Sequence, residues 1–159
     1  MPNWCDNYLK VHNDDPKKVD ELLEAFKKNS LLNHLVPIGE WKYDRAVDAW
    51  GTKWEPECYD FESQVDRINP QEAVLSFQTA YSPPLQAYTM LGEQDFEYTA
   101  HWFEPGCLVA GSSYDGDVDD YEIEELNEQL LEELPTEFLD VFGESLSNVI
   151  SEISEDEEE

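Results

Sequence analysis

Alternation of apolar and polar residues predicts five strands between residues 4 and 112 of this 159-residue chain. The first covers residues 4–12. Neither of its faces is cleanly polar, so we expect it to lie in the middle of a sheet. The other strands are predicted over residues 59–65, 73–79, 96–102 and 107–112.

Two helices are predicted between these strands. Asp14-Asp15-Pro16 supplies an acidic cap and a first-turn proline for the first helix, and Ser82-Pro83-Pro84 opens the second, which ends near Gly92. The apolar stripe of the first helix comprises Val19, Leu22, Leu23 and Phe26. The order strand, helix, strand, strand, helix, strand predicts an α+β fold: a ferredoxin-like antiparallel sheet with two helices on one face, an added strand and a C-terminal acidic helical extension.

Apolar residues recur at helical spacing in the last third of the chain. One stripe runs through residues 121–134, Pro135-Thr136 interrupts it, and a second amphipathic stripe covers residues 138–153. We expect both helices to pack on the body, on each other or on a second copy. The predicted domains are a ferredoxin-like body over residues 1–113, an acidic helical extension over residues 114–153 and a disordered acidic tail over residues 154–159.

Charge divides the chain into two unlike parts. Asp and Glu number 38 against 9 Lys and Arg, which gives a net charge of −29. Residues 1–67 hold 14 acidic and 9 basic residues, whereas residues 68–159 hold 24 acidic residues and no basic one. Such asymmetry indicates an interaction segment for a basic partner. It argues against direct binding to nucleic acid, which needs Lys and Arg, and against docking on an anionic membrane.

The sequence also predicts the cellular setting. The N-terminal residues lack the basic start and apolar run of a signal peptide, and no stretch reaches the roughly 18–20 apolar residues that span a bilayer. Cys5, Cys58 and Cys107 form neither a disulfide framework nor a zinc pattern. We therefore expect a cytoplasmic protein whose cysteines are reduced and pack as small apolar groups.

Candidates for metal binding and catalysis are few. Residues 115–120 resemble the start of a calcium loop, but Asp120 and Leu126 stand where an EF-hand has glycine and glutamate, so a helix-capping acidic turn is favoured. His101 is predicted on the polar face of its strand, beside Glu97. An exposed strand histidine is the simpler interpretation, and a general base or metal ligand is the alternative. We expect no cofactor and no enzymatic activity.

The segment Trp50-Gly51-Thr52-Lys53-Trp54 has two interpretations. Aromatic side chains over a strand can stack nucleic-acid bases, yet Lys53 is nearly isolated as a basic residue. The favoured interpretation is therefore structural. Both tryptophans would cover the sheet, and Gly51 would allow close approach of the backbone.

Four short motifs carry a resemblance to a known family. They are Met1-Pro2-Asn3-Trp4-Cys5-x-Asn7, Trp50-Gly51-Thr52-Lys53-Trp54, Thr79-Ala80-Tyr81-Ser82-Pro83-Pro84 and Glu104-Pro105-Gly106. In this order they resemble the YubB-like ferredoxin-like family over roughly residues 1–111. The resemblance implies a fold and a setting in bacteriophages or conjugative plasmids, without a reaction. The acidic extension departs from the ordinary family member, so we expect any specialised role to lie there.

The acidic extension is the most informative candidate site. Six glutamates from Glu122 to Glu133 are predicted in one helix, where pairs such as Glu124 and Glu128 repel and no Lys or Arg relieves them. Their spacing of about 3 Å per charge approaches the roughly 3.4 Å along one DNA strand. The candidate partner-binding residues are Tyr114, Asp115, Asp117, Asp119, Asp120, Tyr121, Glu122, Glu124, Glu125, Glu128, Glu132 and Glu133.

These features predict an acidic protein of mobile-element type that inhibits a partner by mimicking nucleic acid. The expected partner is the basic surface of a host nuclease, a defence or CRISPR effector, or another nucleic-acid-binding protein. The carboxylates would occupy phosphate sites, with Tyr114 and Tyr121 as anchors. Three alternatives stay open: an acidic domain with an unknown partner, a structural or dimerising module that uses the apolar face of residues 138–153, and an enzyme with a site near His101.

Overall fold

A six-stranded antiparallel sheet organises the chain. The computed structural model describes the backbone of residues 3–158 and the side chains of residues 3–153. The strands are β1 (Trp4–His12), β2 (Val65–Asn69), β3 (Glu72–Ala80), β4 (Glu97–Glu104), β5 (Val109–Tyr114) and β6 (Asp117–Asp120). Their spatial order is β2-β3-β1-β4-β5-β6. The predicted central position of β1 is confirmed, since it pairs with β3 on one side and β4 on the other.

Seven helices accompany the sheet in the described part of the chain. They are α1 (Pro16–Lys27), α2 (Leu31–Leu35), α3 (Tyr43–Trp50), α4 (Phe61–Gln64), α5 (Leu85–Glu93), α6 (Leu130–Glu133) and α7 (Thr136–Glu158). The predicted acidic cap of α1 is confirmed, because the side chain of Asp15 accepts a hydrogen bond from the Lys17 N–H. The order β1-α1-β2-β3-α5-β4 confirms the α+β, ferredoxin-like class.

One face of the sheet carries the first hydrophobic core. The side chains of Cys5, Leu9 and Val11 point from β1 toward α1, α2 and α5, which contribute Phe26, Leu35 and Leu91 among others. Asn7 lies in the same row, and its side chain is satisfied by donating to Thr79 Oγ1 (2.8 Å) and accepting from the Tyr88 hydroxyl (2.9 Å). This core fixes the central strands.

The strand predicted over residues 59–65 is wrong, because residues 61–64 form the short helix α4 and β2 begins only at Val65. The side chain of Gln64 explains the difference. Its amide oxygen accepts from the Asp60 N–H (2.9 Å), and its nitrogen donates to the carbonyls of Glu57 (3.1 Å) and Ser76 (3.2 Å). These bonds favour a turn over an extended backbone.

The opposite face of the sheet is partly covered by α7. Every fourth residue of this helix is buried, at Phe138, Phe142, Leu146 and Ile150, as an amphipathic helix requires. They pack against Tyr8 of β1, Phe103 of β4 and Ala110 of β5 in a second hydrophobic cluster. The extension therefore packs on the body, one of the three arrangements that the sequence leaves open.

The helix predicted over residues 121–134 is wrong. The segment is irregular over residues 121–129, and only Leu130–Glu133 form a helix. The glutamates of this segment have no Lys or Arg at i±4 to relieve their repulsion, and an isolated helix so short has little intrinsic stability. The inference of one carboxylate every 3 Å along a helix axis does not hold.

Residues 154–159, predicted to be a disordered tail, are described only in part. The helix α7 continues to Glu158, whereas the side chains from residue 154 onward and the whole of Glu159 lie outside the described residues. The disorder of this tail stays a prediction. None of the helices in the described residues combines the length and apolar character needed to cross a membrane.

Candidate functional site

A tight turn opens the acidic segment. Asp115 and Gly116 both have positive φ angles, 49° and 101°, and join β5 to β6. Two positive angles define the type I′ turn, for which Asp-Gly is a preferred pair. The Asp115 carboxylate accepts a hydrogen bond from the Tyr98 N–H (2.7 Å), which fixes the turn on β4. The acidic turn predicted to cap a helix therefore closes a hairpin instead.

The aspartates of β6 lie on the edge strand of the sheet. Asp117 pairs with Tyr114 and Asp119 with Ser112, so their side chains share the face that α7 covers, whereas Asp120 lies on the opposite face. All three are exposed. A charged edge strand also resists pairing with another chain, so protection of the sheet edge accounts for part of this acidity.

Apolar residues fix the segment that carries the glutamates. Ile123, Leu130 and Leu134 are buried in the second hydrophobic cluster with Phe138. Leu126 and Leu131 also pack against this cluster, whereas all six candidate glutamates are exposed: Glu122, Glu124, Glu125, Glu128, Glu132 and Glu133. The carboxylates therefore stand on an anchored segment, although it is not the predicted helix.

Four of these glutamates border one concave surface. This concavity has a volume of about 510 Å³ and is lined by Glu122, Glu124, Glu125, Asn127, Gln129, Leu130 and Glu133. Glu125 also borders a neighbouring concavity of about 420 Å³, together with Glu128, Ile150 and Ile153. Glu132 lines neither. We call the four residues Glu122, Glu124, Glu125 and Glu133 the glutamate cup.

The carboxylates of the candidate surface have no cationic partner within residues 3–153. In residues 3–153, where side chains are described, none of the ten candidate acids takes part in a salt bridge. Asp95 is the last residue along the sequence that does. No Lys or Arg follows Arg67 in the sequence. The glutamate cup is therefore a concentration of negative charge that can attract a cationic group.

The two candidate tyrosines are already used in packing. Tyr114 is half-buried, and its hydroxyl donates to Glu137 Oε2 (2.6 Å). Burial, together with the hydrogen bond and charge of Glu137, raises the pKa of Tyr114 to about 12. Tyr121 packs edge-on against Phe138 at 5.3 Å between ring centroids, and its hydroxyl donates to Ser112 Oγ (2.7 Å). We therefore assign the candidate surface to the carboxylates.

The prediction that His101 is an exposed strand residue is wrong. Only 3% of its surface is exposed, because α7 lies over this face of the sheet. The ring is surrounded by Tyr8, Tyr114 and Phe138, and its Nδ1 is hydrogen-bonded to the Ser112 hydroxyl. Burial lowers the pKa of His101, and the charge of Glu137 opposes this effect in part. His101 is therefore a neutral residue that packs against Phe138 of the second hydrophobic cluster.

This burial predicts a pH-dependent stability. His101 titrates below its ordinary pKa of 6.5 in the folded chain, so unfolding takes up a proton as the pH falls below that value. The contribution of His101 to the free energy of unfolding is fully present above pH 6.5 and is lost as the pH falls to the folded pKa. The loss is about 1.4 kcal/mol for each pH unit that separates the unfolded pKa from the folded one. Urea unfolding at pH 7.5 and 5.5 should show a smaller loss in His101→Gln than in the wild type.

The exposed His34 offers a matched control, because His34→Gln removes a histidine from the surface and leaves the core intact. Its loss of stability between the two pH values should equal that of the wild type. Carboxylate repulsion also changes with pH in this acidic chain, and the comparison cancels that contribution. An identical pH response of all three proteins would contradict a buried neutral His101.

The tryptophans of residues 50–54 have unlike environments. Trp50 is buried, and its Nε1–H donates to the Val36 carbonyl (2.9 Å), as the structural interpretation predicts. Trp54 is 40% exposed and does not join the core. The sequence pattern does not separate the two, although Trp50 is the last residue of α3 and Trp54 lies in the irregular segment that follows it.

The cysteines also differ from one another. Cys5 is buried, which raises its thiol pKa to about 12, whereas Cys58 is half-buried and Cys107 is exposed. The expected packing as a small apolar group thus describes Cys5 and, in part, Cys58, which packs against the first hydrophobic core, but not the exposed Cys107. In the part of the chain that the structure describes, no group of three or more His, Cys, Asp and Glu side chains is arranged to hold a metal ion.

Comparisons with known proteins provide one distant structural likeness. No family model matches the chain, and no curated protein matches it significantly. A crystal structure of the protein api92 from Yersinia pseudotuberculosis, described with the family model DUF1281, aligns with 57% of this chain and 33% of its own length. The identity is 16% and the TM-score is 0.38, a level of similarity that carries no argument about function.

Proposed function

We propose that this chain is a non-enzymatic binding protein whose acidic extension occupies the basic surface of another protein. The observation that carries the proposal is the glutamate cup, in which Glu122, Glu124, Glu125 and Glu133 border one concavity of about 510 Å³. These carboxylates are exposed and form no salt bridge within residues 3–153. A cationic surface would supply the missing counter-charges.

Anchoring of the segment favours binding. The burial of Ile123, Leu130 and Leu134 restricts the backbone between them before any partner arrives. A partner then has less conformational entropy to remove than it would from a free acidic tail. The exposed aspartates of the hairpin, Asp115, Asp117, Asp119 and Asp120, add negative charge at the sheet edge.

A nucleic-acid-binding protein of a host cell is the partner class that we propose. Such proteins concentrate Lys and Arg where phosphates bind, and carboxylates can occupy the same sites. The resemblance of residues 1–111 to the YubB-like proteins of phages and plasmids adds a mobile-element setting in the host cytoplasm, where nucleases and defence effectors are the targets that a phage meets. The mechanism is competition, since the target cannot hold nucleic acid and the acidic surface together.

The structure gives less support to the two alternatives that name a site. The apolar face of residues 138–153, which a dimerising module would use, contributes Phe138, Phe142, Leu146 and Ile150 to the core of the same chain. An enzyme with a site near His101 would need substrate access to that side chain, but the ring is buried under α7.

Affinity capture from host lysate tests the proposal. The tagged chain should retain a nucleic-acid-binding protein at low salt, for example 50 mM, and release it at 500 mM. The reason is that the screening length between exposed charges is about 10 Å at 0.1 M salt and becomes shorter as the salt concentration rises. Nuclease treatment of the lysate excludes bridging through nucleic acid. A partner retained equally at both salt concentrations, or none at all, would count against charge-driven recognition.

A further inference from the structure

A second candidate surface lies away from the acidic extension, on an exposed group of aromatic side chains. Trp4 is 42% exposed, Trp54 is 40% exposed and Tyr59 is 71% exposed. Burial of large aromatic side chains is energetically favourable. Several of them exposed together therefore indicate an interaction site. The proposed function does not use this group.

The three aromatics enclose a small cavity together with acidic residues. It has a volume of about 300 Å³ and is lined by Trp4, Trp54, Glu55, Glu57, Tyr59 and Gln78. The rings of Trp4 and Trp54 are tilted by 41°, with their centroids 6.4 Å apart. Among the described residues, the lining thus combines three aromatic rings with two carboxyl groups and contains no basic side chain.

The backbone that carries these side chains is held in place. Both carboxylate oxygens of Glu55 accept hydrogen bonds, from the N–H groups of Leu32 (2.7 Å) and Asn33 (2.9 Å) at the start of α2. The Trp41 indole donates to the Lys53 carbonyl (2.8 Å), and the Thr52 hydroxyl donates to the Ala80 carbonyl (3.0 Å). The cavity wall formed by Trp54 therefore has a defined position before a ligand binds.

An intramolecular contact indicates the charge of the ligand. The Nζ of Lys53 lies 4.1 Å from the ring centroid of Trp54 and 5.0 Å from that of Tyr81. Aromatic rings attract cations through the negative potential of their faces. Since neither Lys53 nor Tyr81 lines the cavity, the aromatic surface extends beyond the region that Lys53 covers. The two carboxyl groups in the lining disfavour a phosphate, and with it the stacking of nucleic-acid bases.

We propose that this cavity binds a guanidinium group, as carried by an arginine side chain. A guanidinium is planar and weakly hydrated, so it stacks on aromatic rings at a lower desolvation cost than an ammonium. Its fork of N–H donors matches the exposed carboxylate of Glu57. Gln78 uses its nitrogen to donate to Asp6 Oδ1 (2.9 Å), and its amide oxygen is the further acceptor in the lining.

The test uses N-acetyl-argininamide as the probe and the full chain labelled with ¹⁵N. Addition of the probe should move the indole N–H signals of Trp4 and Trp54 saturably. N-acetyl-lysinamide carries the same charge and measures general attraction to an acidic protein, whereas choline measures cation–aromatic contact without N–H donors. We expect both to bind at least about two- to fivefold more weakly, the factor that one exposed charged contact provides.

Variants locate the site. Trp54→Ala should abolish the saturable shift of Trp4, and Glu57→Gln should weaken the probe roughly two- to fivefold. Tyr43→Ala removes an aromatic residue that is 57% exposed but absent from the lining, and it should leave binding unchanged. The Gln variants of the glutamate cup should also bind the probe normally, which separates this site from the proposed function. Equal binding of the three probes, or full binding by Trp54→Ala, would overturn the proposal.

Discussion

Replacement of Phe138 by alanine should lower the free energy of unfolding by about 3–5 kcal/mol, the range observed when a buried phenylalanine is truncated. Phe138 is fully buried, and its ring lies 5.3 Å from both Tyr121 and Phe142 between centroids. It also contacts His101 and Phe103 on the sheet. The cavity left by its removal would therefore lie where α7 meets both the sheet and the acidic segment.

This loss is a large fraction of the stability of an ordinary domain, which is about 5–15 kcal/mol. Guanidinium chloride unfolding followed by circular dichroism measures it. Ser147→Ala is the matched control, because Ser147 is exposed on the same helix and its replacement should change stability by no more than about 0.5 kcal/mol. If Phe138→Ala were as stable as Ser147→Ala, α7 would not pack on the sheet and the acidic segment would lose its support.

Replacement of the glutamate cup by glutamine should weaken partner binding by about 1–4 kcal/mol, or roughly 5- to 700-fold, since each exposed ion pair contributes about 0.2–1 kcal/mol. Most of the effect should lie in the association rate at low salt, because long-range attraction steers the encounter. The measurement is surface plasmon resonance with the protein captured from lysate, at several salt concentrations.

A charge-matched variant controls for net charge. Glu21, Asp48, Glu62 and Glu93 are exposed acids outside the extension and outside the salt bridges found in residues 3–153. Their conversion to amides removes the same four charges from other parts of the surface, and binding should then weaken much less. Equal weakening by the two variants would indicate a nonspecific response to net charge and would contradict a defined acidic surface.

The ferredoxin-like body could be predicted because the sequence pattern of each strand matches the burial of its side chains. The alternation in β1 and β3 follows from the burial of alternate side chains against α1 and α5. Asp15 and Pro16 are typical residues for the start of a helix, and they mark the start of α1. These signals are local, so a single sequence contains them. They correctly place β1 at the centre of the sheet.

The acidic extension was harder to predict because its structure depends on distant contacts. The polar face of β4 suggested an exposed His101, but the residue that covers it is Phe138, far along the chain. The periodicity of apolar residues predicts a helix over residues 121–134. In the structure, the buried Ile123, Leu130 and Leu134 instead anchor a largely irregular segment. The Asp115-Gly116 pair was the one local signal for the hairpin, and it was interpreted instead as a helix-capping turn.

A competition experiment with nucleic acid shows whether the acidic extension occupies the phosphate sites of the partner. A fluorescent oligonucleotide is bound to the captured partner, and its anisotropy is followed as the chain is added. We expect the wild-type chain to displace the oligonucleotide, the Gln variants of the glutamate cup to do so only at much higher concentration, and the charge-matched variant to behave almost as the wild type. Simultaneous binding of oligonucleotide and chain, with anisotropy that does not fall, would show that the acidic surface does not occupy the phosphate sites.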